Sequence, residues 1–445
     1  MSDLGFTSAA RSPEAHLFDS GLGLALLDVQ SMQIREIDPA LAQNLDLCIS
    51  ARDSERLRVM MTAFGIGGEP RRSDPPPVSV PVRTFSLAIA QKCNLGCTYC
   101  YAEQGTFGGA ASSMSLSTAQ AAVDRLLDGV ERGQRINLVF LGGEPLVNRN
   151  ALRATVRYAA AKAGEAGIIA GFSLTTNATL LSADDAEFFE QYPFSLTISI
   201  DGIGKAHDRL RPFKSGRGSF DRVAERVRLL LSRTNRKTRV SARVTVTPEN
   251  LAVADTLMAL TEMGFDDVQF SPMLSSPSGR GQMDGGTLDV MLNQMIECGR
   301  QFEASLANGE LLPFSNMIST LRQIHRGGRD DYPCGAGGSY LGVSADGDLY
   351  ACHRFVGDEE RSMGNVSSGI DQAKQTAWLA DRHVQHQPPC QTCWARRLCG
   401  GSCHYEAIHA GRQGCDYIRG WLHYCLGAYV RLLKQSPGRI REVLG

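Results

Sequence analysis

The sequence predicts an α/β protein built on an incomplete (β/α)6, TIM-like barrel, with a small N-terminal hairpin-helix module and a cysteine-rich C-terminal region. Two observations carry that prediction. Between residue 83 and about 273, apolar strand-like runs alternate with amphipathic helical patterns. The 13 cysteines fall mainly into two fields, one directly after the first of those strands and one between residues 334 and 425.

At 445 residues the chain has room for two or three domains. Its 46 basic and 47 acidic residues leave neither a basic stripe for nucleic acid nor an acidic arm. Met1–Phe6 lacks the charged and then apolar run of a signal peptide, and no apolar stretch approaches the roughly 20 residues that span a bilayer. The expectation is a soluble, cytoplasmic protein with no nucleic-acid or membrane partner. Clustered cysteines in a long chain of this kind read as metal or cluster ligands rather than disulfides.

Residues 1–82 read as an N-terminal module and linker. Leu24–Val29 and Gln33–Ile37 form a hairpin across Gln30, Ser31 and Met32, and Asp38 caps a helix with Pro39 at its first position. Such a module either docks a peptide as an added strand or packs on the barrel. Gly67, Gly68 and Pro75–Pro77 mark a linker over 67–81.

Residues 83–310 hold the barrel. The strands are placed at 85–90, 136–141, 170–175, 195–200, 240–247 and 268–272, with helices near 115–131, 149–164, 182–191, 219–234 and 250–263. This order implies parallel strands with functional groups at their C-terminal ends.

Cys93, Cys97 and Cys100 follow the first strand. Their spacing suits three corners of a cube-shaped iron–sulfur cluster and leaves one iron without a protein ligand. Four thiolates serve clusters that carry electrons, whereas a site one ligand short is open for chemistry. The other strand ends supply Gly142, Gly143 and Glu144, then Thr176 and Asn177, then Ser199 and Asp201, and then the backbone edge at Val244 and Thr245. Glycines permit close approach, Glu144 offers an acceptor for an ammonium group, and the rest suit a ribose, a carboxylate and a purine. Together they outline a pocket for an amino-acid–nucleoside cofactor.

These residues resemble the radical S-adenosylmethionine (SAM) enzymes. The family's C-x3-C-x2-C signature has an aromatic residue before the last cysteine, where Tyr99 stands, and Gly142–Pro145 matches its G-G-E-P element. The resemblance implies that the open iron binds SAM, which is cleaved after reduction to a 5′-deoxyadenosyl radical.

Residues 311–445 contain the second field. Its core, Cys390, Cys393, Cys399 and Cys403, is compatible with a zinc knuckle, but Cys334, Cys352, Cys415 and Cys425 on either side suit two sites. The pattern resembles the SPASM extension of radical SAM enzymes, which implies two auxiliary clusters and three [4Fe–4S] clusters in all. Carried over, Cys334, Cys352 and Cys403 serve the first auxiliary cluster. Cys390, Cys393 and Cys399 serve the second, completed by Cys415 or Cys425. Cys415, at an expected helix start, suits a thiolate better. No further cysteine stands near Cys334, so the first auxiliary cluster has either an open iron or His353 as a ligand. Cys48 and Cys298 read as packing residues.

The stretches Cys97–Gly109, Tyr332–Gly337, Cys352–Gly357 and Cys415–Trp421 are similar to maturases that install thioether bridges in ribosomal peptides, above all those of quinohemoprotein amine dehydrogenase. The resemblance implies bonds between cysteine sulfur and Asp or Glu methylene carbons in the small γ subunit, and a flavodoxin- or ferredoxin-like reductant. His207, His404 and His409 are then structural. The alternatives are carbon–carbon crosslinking, side-chain oxidation as in sulfatase maturases, or an iron–sulfur electron carrier or scaffold.

Overall fold

The computed structural model describes residues 12–67, 69, 75–329 and 331–445. Met1–Phe6, Gly68 and residues 70–74 of the linker lie outside that range. The chain opens with β1 (Ala15–Asp19), β2 (Leu24–Asp28), β3 (Ile34–Glu36), α1 (Pro39–Ser50) and α2 (Ser54–Ala63). It continues with β4 (Thr84–Gln91), β5 (Ser112–Ser113), α3 (Leu116–Leu127), β6 (Arg135–Gly142), α4 (Arg149–Ala166), β7 (Ile169–Thr176) and α5 (Ala183–Glu190). Next come β8 (Phe194–Ser199), α6 (Lys205–Leu210), α7 (Phe220–Leu231), β9 (Arg239–Val246), α8 (Val253–Glu262) and β10 (Asp267–Pro272). Two long helices follow, α9 (Gly285–Ala307) and α10 (Ser315–His325), and then β11 (Tyr340–Val343), β12 (Asp348–Tyr350), β13 (Ser362–Asn365) and β14 (Gly369–Ile370). The chain closes with α11 (Gln372–Arg382), α12 (Pro388–Gln391), α13 (Arg396–Cys399), α14 (His404–His409), α15 (Cys415–Gln435) and α16 (Pro437–Leu444).

Two compact units form. One comprises Pro77–Met283 and Gly335–Leu379; the other comprises the N-terminal residues to Pro76, Asp284–Cys334 and Ala380–Gly445.

In the first unit, β10-β9-β8-β7-β6-β4 lie side by side in that order, all parallel. This is the expected six-stranded barrel sheet. Alternation sets its faces: Val240, Ala242, Val244 and Val246 of β9 are buried, whereas Ser241, Arg243 and Thr245 between them are half-buried and point to the opposite face. The sheet goes further than the sequence reading anticipates. β11 pairs with β4 in parallel, and β12, β13 and β14 extend it in antiparallel fashion. Asp185 ties the outer layer together. It completes a capping box with Ser182 and takes hydrogen bonds from Arg149 and Arg153.

In the second unit, the expected hairpin has a third strand. β1 pairs with β2, and β2 with β3, all antiparallel. Asp38 accepts from the Leu41 amide and Pro39 opens α1, as the sequence indicates. Leu17, Leu26, Leu41, Leu45, Cys48 and Leu57 share a core beneath this sheet. His16 of β1 stacks on Trp394 at 3.7 Å between ring centroids and meets His423 through Nε2···Nδ1 at 2.9 Å. In the helical part, a Cβ at Gly299 of α9 would meet the Tyr424 ring of α15 at 2.3 Å, so any larger residue there would have to displace that ring. Among the described residues, no helix is long and apolar enough to cross a membrane.

Candidate functional site

Cys93, Cys97 and Cys100 lie on the loop after β4 and are half-buried. The loop is clamped from below by the end of β6. Gly143 donates to the Ala90 carbonyl at 2.8 Å and Glu144 to the Lys92 carbonyl at 3.0 Å. A Cβ at Gly143 would lie 2.3 Å from the Lys92 oxygen, and one at Gly105 would lie 2.6 Å from the Gly143 Cα. Of the two glycines expected to admit a ligand, Gly143 makes room for the chain's own backbone at Lys92, one residue before Cys93, and Gly142 for that at Ala90.

Glu144 is fully buried. Its Oε1 accepts from Thr176 Oγ1 at 2.7 Å and the Leu146 amide at 3.0 Å, and its Oε2 accepts from the Asn177 amide at 2.8 Å. Burial raises its pKa, and these donors oppose the rise. A carboxylate offers about four lone-pair sites, so one remains. Asn177 Nδ2 reaches Asn94 Oδ1 at 3.0 Å and Cys93 Sγ at 3.7 Å, so the ends of β6 and β7 meet at the first cysteine.

A second network lies under Tyr99. Its hydroxyl donates to Asp201 Oδ2 and accepts from Arg211 Nη1, while Asp201 Oδ1 accepts the Thr245 amide at 2.8 Å. Asp201 is 0 % exposed, which makes the Arg211 guanidinium its necessary counter-charge, at 3.4 Å. His207 accepts the Asp201 amide on Nδ1 at 3.2 Å and meets Ser219 through Nε2 at 3.0 Å; burial, aided by Arg211, drives it down to about 3. It is a neutral structural group. Ser199, Asp201 and Thr245 therefore converge at neighbouring strand ends, whereas the Val244 side chain turns to the helical side and leaves only its backbone to the site.

The electrostatics suit an anionic group at the triplet. Burial pushes the Cys97 thiol up to about 12, against the opposing pull of Arg211; Cys100 and Cys93 contribute their own repulsion. Three mutually repelling thiols beside a buried guanidinium become compatible as thiolates only when a metal centre shares their charge. Arg211 Nε and Thr98 Oγ1 are buried with no hydrogen-bond partner among the described residues. The donor set thus fits an iron–sulfur cluster. Arg211 is the residue sequence reading misses here: an arginine twelve residues past the end of β8 reads as a surface charge.

The C-terminal field divides. Cys390, Cys393, Cys399 and Cys415 line one cavity of about 220 Å³ together with Arg396, Arg412 and Arg419. Burial pushes the Cys399 thiol up to about 12, against the opposing influence of the Gly401 and Ser402 amides. Gly400, Gly401 and Ser402 all take left-handed backbone, forming the tight turn that aims those amides. Three arginines and two amides around four thiols suit an anionic cluster. Cys415 is the first residue of α15, while Cys425 is fully buried against Met317 Sδ at 3.7 Å. Cys48 and Cys298 are buried as well. Among the described residues, no three His, Cys, Asp or Glu are grouped to hold a single metal ion.

Cys334 and Cys403 are exposed in one unit, and Cys352 is buried in the other. Beside Cys352, His353 Nδ1 meets the Tyr340 hydroxyl at 2.6 Å, and Arg354 lies 5.2 Å from the Tyr101 ring centroid. His404 is buried at 2 %, and the His409 ring lies 4.2 Å from that of Tyr405, both in structural settings.

Residues 87–260 match the family model of the radical SAM superfamily. The chain is 26 % identical over 355 residues to a serine-type anaerobic sulfatase-maturating enzyme of Klebsiella pneumoniae, covering 76 % of this chain and 86 % of that one. Among solved structures, AdoMet-bound anSMEcpe aligns with a TM-score of 0.67 at 17 % identity over 82 % of this chain and 98 % of its own. SuiB of Streptococcus suis, bound to its precursor peptide SuiA, aligns at 0.52 and 13 % identity over 89 % of this chain and 96 % of its own. Both structural likenesses concern the fold.

Proposed function

Because residues 87–260 form a radical SAM domain, we propose that this protein is a maturase that modifies side chains of a ribosomally made peptide or protein. The observation that carries the proposal is the pairing of a three-thiol site at the strand ends with a separate four-thiol cavity. Cys93, Cys97 and Cys100 hold the SAM-binding [4Fe–4S] cluster. Tyr99, Gly142–Glu144, Thr176, Asn177, Ser199, Asp201, Val244 and Thr245 shape the pocket for SAM. When bound, the reduced cluster and SAM supply the one-electron chemistry that removes a hydrogen atom from the substrate. Tyr99, Asp201 and Arg211 keep the loop and the strand ends in fixed relation, so the acceptor carbon is met at one place.

Cys390, Cys393, Cys399 and Cys415 hold one auxiliary cluster, and Cys334, Cys352 and Cys403 the other. The proposed functional division at 1–82, 83–310 and 311–445 gives these tasks to the barrel and the C-terminal region, although Gly335–Leu379, with Cys352, belongs to the barrel's compact unit and Asp284 onwards to the other. Peptide docking falls to the N-terminal sheet. In its register Gln33, Arg35 and Ile37 bond to β2, which turns the backbone groups of Ile34 and Glu36 to the open edge of β3. The clustered free thiols support a reducing, cytoplasmic setting and a flavodoxin- or ferredoxin-like donor.

The finer reading is thioether formation between cysteine sulfur and Asp or Glu methylene carbons, in the γ subunit of quinohemoprotein amine dehydrogenase. It rests on the motif likeness around Cys334, Cys352 and Cys415. The second reading, side-chain oxidation, is favoured by the sulfatase-maturating relatives. Mass spectrometry of a γ-subunit peptide treated with reconstituted enzyme, SAM and reductant separates them. Thioether formation removes two hydrogens per bridge and protects one thiol from alkylation each time. A peptide that loses hydrogens while every thiol stays alkylatable establishes oxidation or carbon–carbon crosslinking instead.

A further inference from the structure

Arg396, Arg412 and Arg419 all line the four-thiol cavity, but their charges are answered differently. Arg419 is paired with Asp416, a carboxylate on the same helix. Arg412 is half-buried; its Nη1 donates to the Gly401 carbonyl at 2.7 Å and its Nη2 to Gln387 Oε1. Arg396 has neither a carboxylate nor much contact with water. It is 4 % exposed, and its Nη1 and Nη2 donate to the carbonyls of Cys393 at 3.1 Å and Pro13 at 2.7 Å. These two neutral groups hold the guanidinium in place and leave its charge unanswered. Its Nε is buried with no hydrogen-bond partner among the described residues. Glu14 and Asp331 lie within reach of its field, but Glu14 is bound by Arg58 at 3.2 Å and Asp331 meets His383 at 3.5 Å. Arg397 adds a like charge beside it.

A guanidinium keeps its proton in a protein, so it cannot escape burial by becoming neutral as a lysine can. Enclosed in this way it destabilises the fold unless an anion shares the enclosure. The cavity it lines supplies that anion, as Cys390, Cys393, Cys399 and Cys415 become thiolates on iron. With four thiolates a [4Fe–4S] cluster carries a double negative charge when oxidised and a triple one after taking up one electron. We propose that Arg396 is the fixed counter-cation of this auxiliary cluster and raises its reduction potential.

The proposal rests on the auxiliary-cluster reading above and deepens it. A fixed cation attracts the reduced cluster more strongly than the oxidised one, so it favours uptake of an electron. That electron comes from the flavodoxin- or ferredoxin-like donor, which is oxidised by one electron as the cluster is reduced. No bond forms or breaks at Arg396. Its effect exceeds that of its neighbours because water screens a buried charge less than half-buried Arg412, and Asp416 offsets Arg419. Arg396 acts through the cluster and is a positioning residue in this account.

The test is a redox titration of the reconstituted full-length enzyme, followed by the electron paramagnetic resonance of its reduced clusters. The signal of this site is the one that Cys390→Ala together with Cys393→Ala removes. Arg396→Gln should make its midpoint more negative. The oxidised-to-reduced ratio at the wild-type midpoint should rise about tenfold or more, about 59 mV for one electron. Arg396→Lys keeps the charge and should recover most of that shift, whereas Arg412→Gln and Arg419→Gln should each move the midpoint less. Iron content shows which variants keep their clusters. Loss of iron from Arg396→Gln but not from Arg396→Lys would support the same dependence on charge, at the stage of assembly. Loss from both would give Arg396 a packing role and overturn the proposal, as would an unchanged midpoint in iron-replete Arg396→Gln. If no reducible signal of the wild type depends on Cys390 and Cys393, the auxiliary-cluster reading itself fails and takes the proposal with it.

Discussion

At the end of β4, three cysteines sit on a loop fastened by the ends of β6, β7 and β8; between α12 and α15, four cysteines surround a cavity of about 220 Å³ bounded by turns and one-turn helices. The first site inherits its geometry from the parallel sheet. Gly143, Glu144, Asn177 and Asp201 each bond into the cysteine loop or the residues beside it, and every one of them stands at the end of a strand that the apolar core already fixes. The second site has little such support. α12 and α13 are four residues each, too short to persist alone, and the turn at Gly400–Ser402 is held in left-handed backbone. The difference suggests which part a metal centre would organise: the barrel pre-forms its site, whereas the C-terminal cavity would gain its order together with the proposed cluster.

Removing iron is the strongest way to break that contrast. Chelation should expose residues 388–414 to proteolysis at least about tenfold faster, while a fragment spanning β4–β10 stays resistant. Equal sensitivity of both regions would remove the distinction. Within the barrel, Asp201→Ala leaves the Arg211 guanidinium buried without its counter-charge. A loss of about 3–5 kcal/mol in stability is expected from denaturant unfolding, together with slower SAM cleavage.

A smaller effect concerns the outer frame of the barrel. Burial works to raise the Asp185 carboxyl, but hydrogen bonds from Arg149, Ser182 and Arg153 overcome it and hold the group below its ordinary value. Its stabilising contribution is thus complete above the unfolded carboxylate pKa and fades as pH falls through the folded value. Asp185→Asn should cost about 2 kcal/mol at neutral pH, the partly exposed arginines limiting the effect. The deficit should shrink in acid, as thermal melts across the acidic range will show.

The smallest difference separates two cysteines of one helix. Cys415→Ala should reduce iron at the second auxiliary site, whereas Cys425→Ala should leave iron content unchanged and cost about 1 kcal/mol of packing. The reverse iron result would reassign the ligand.

Much of the barrel was readable in the sequence because strands such as Phe85–Ala90 and helices such as 149–164 are local patterns. The Asp38-Pro39 cap was readable for the same reason. β1, with its interrupted pattern Ala-His-Leu-Phe-Asp, escaped. So did β11–β14, which are short, and of which β11 depends on pairing with β4 some 250 residues earlier. At the site, the cysteines and strand-end motifs were apparent from spacing alone. Arg211 was not, since only burial against Asp201 reveals that this arginine faces inward. Glu144 shows the converse, a conspicuous motif residue whose oxygens largely serve the chain's own amides and hydroxyl.

The central claim is that the strand-end triplet alone opens SAM while the C-terminal thiols hold separate clusters. The most direct measurement is 5′-deoxyadenosine formed after reduction by a protein carrying Cys93→Ala, Cys97→Ala and Cys100→Ala together. The account predicts none above background, with iron and cluster absorbance retained at the C-terminal sites. Continued SAM cleavage by that variant would contradict it.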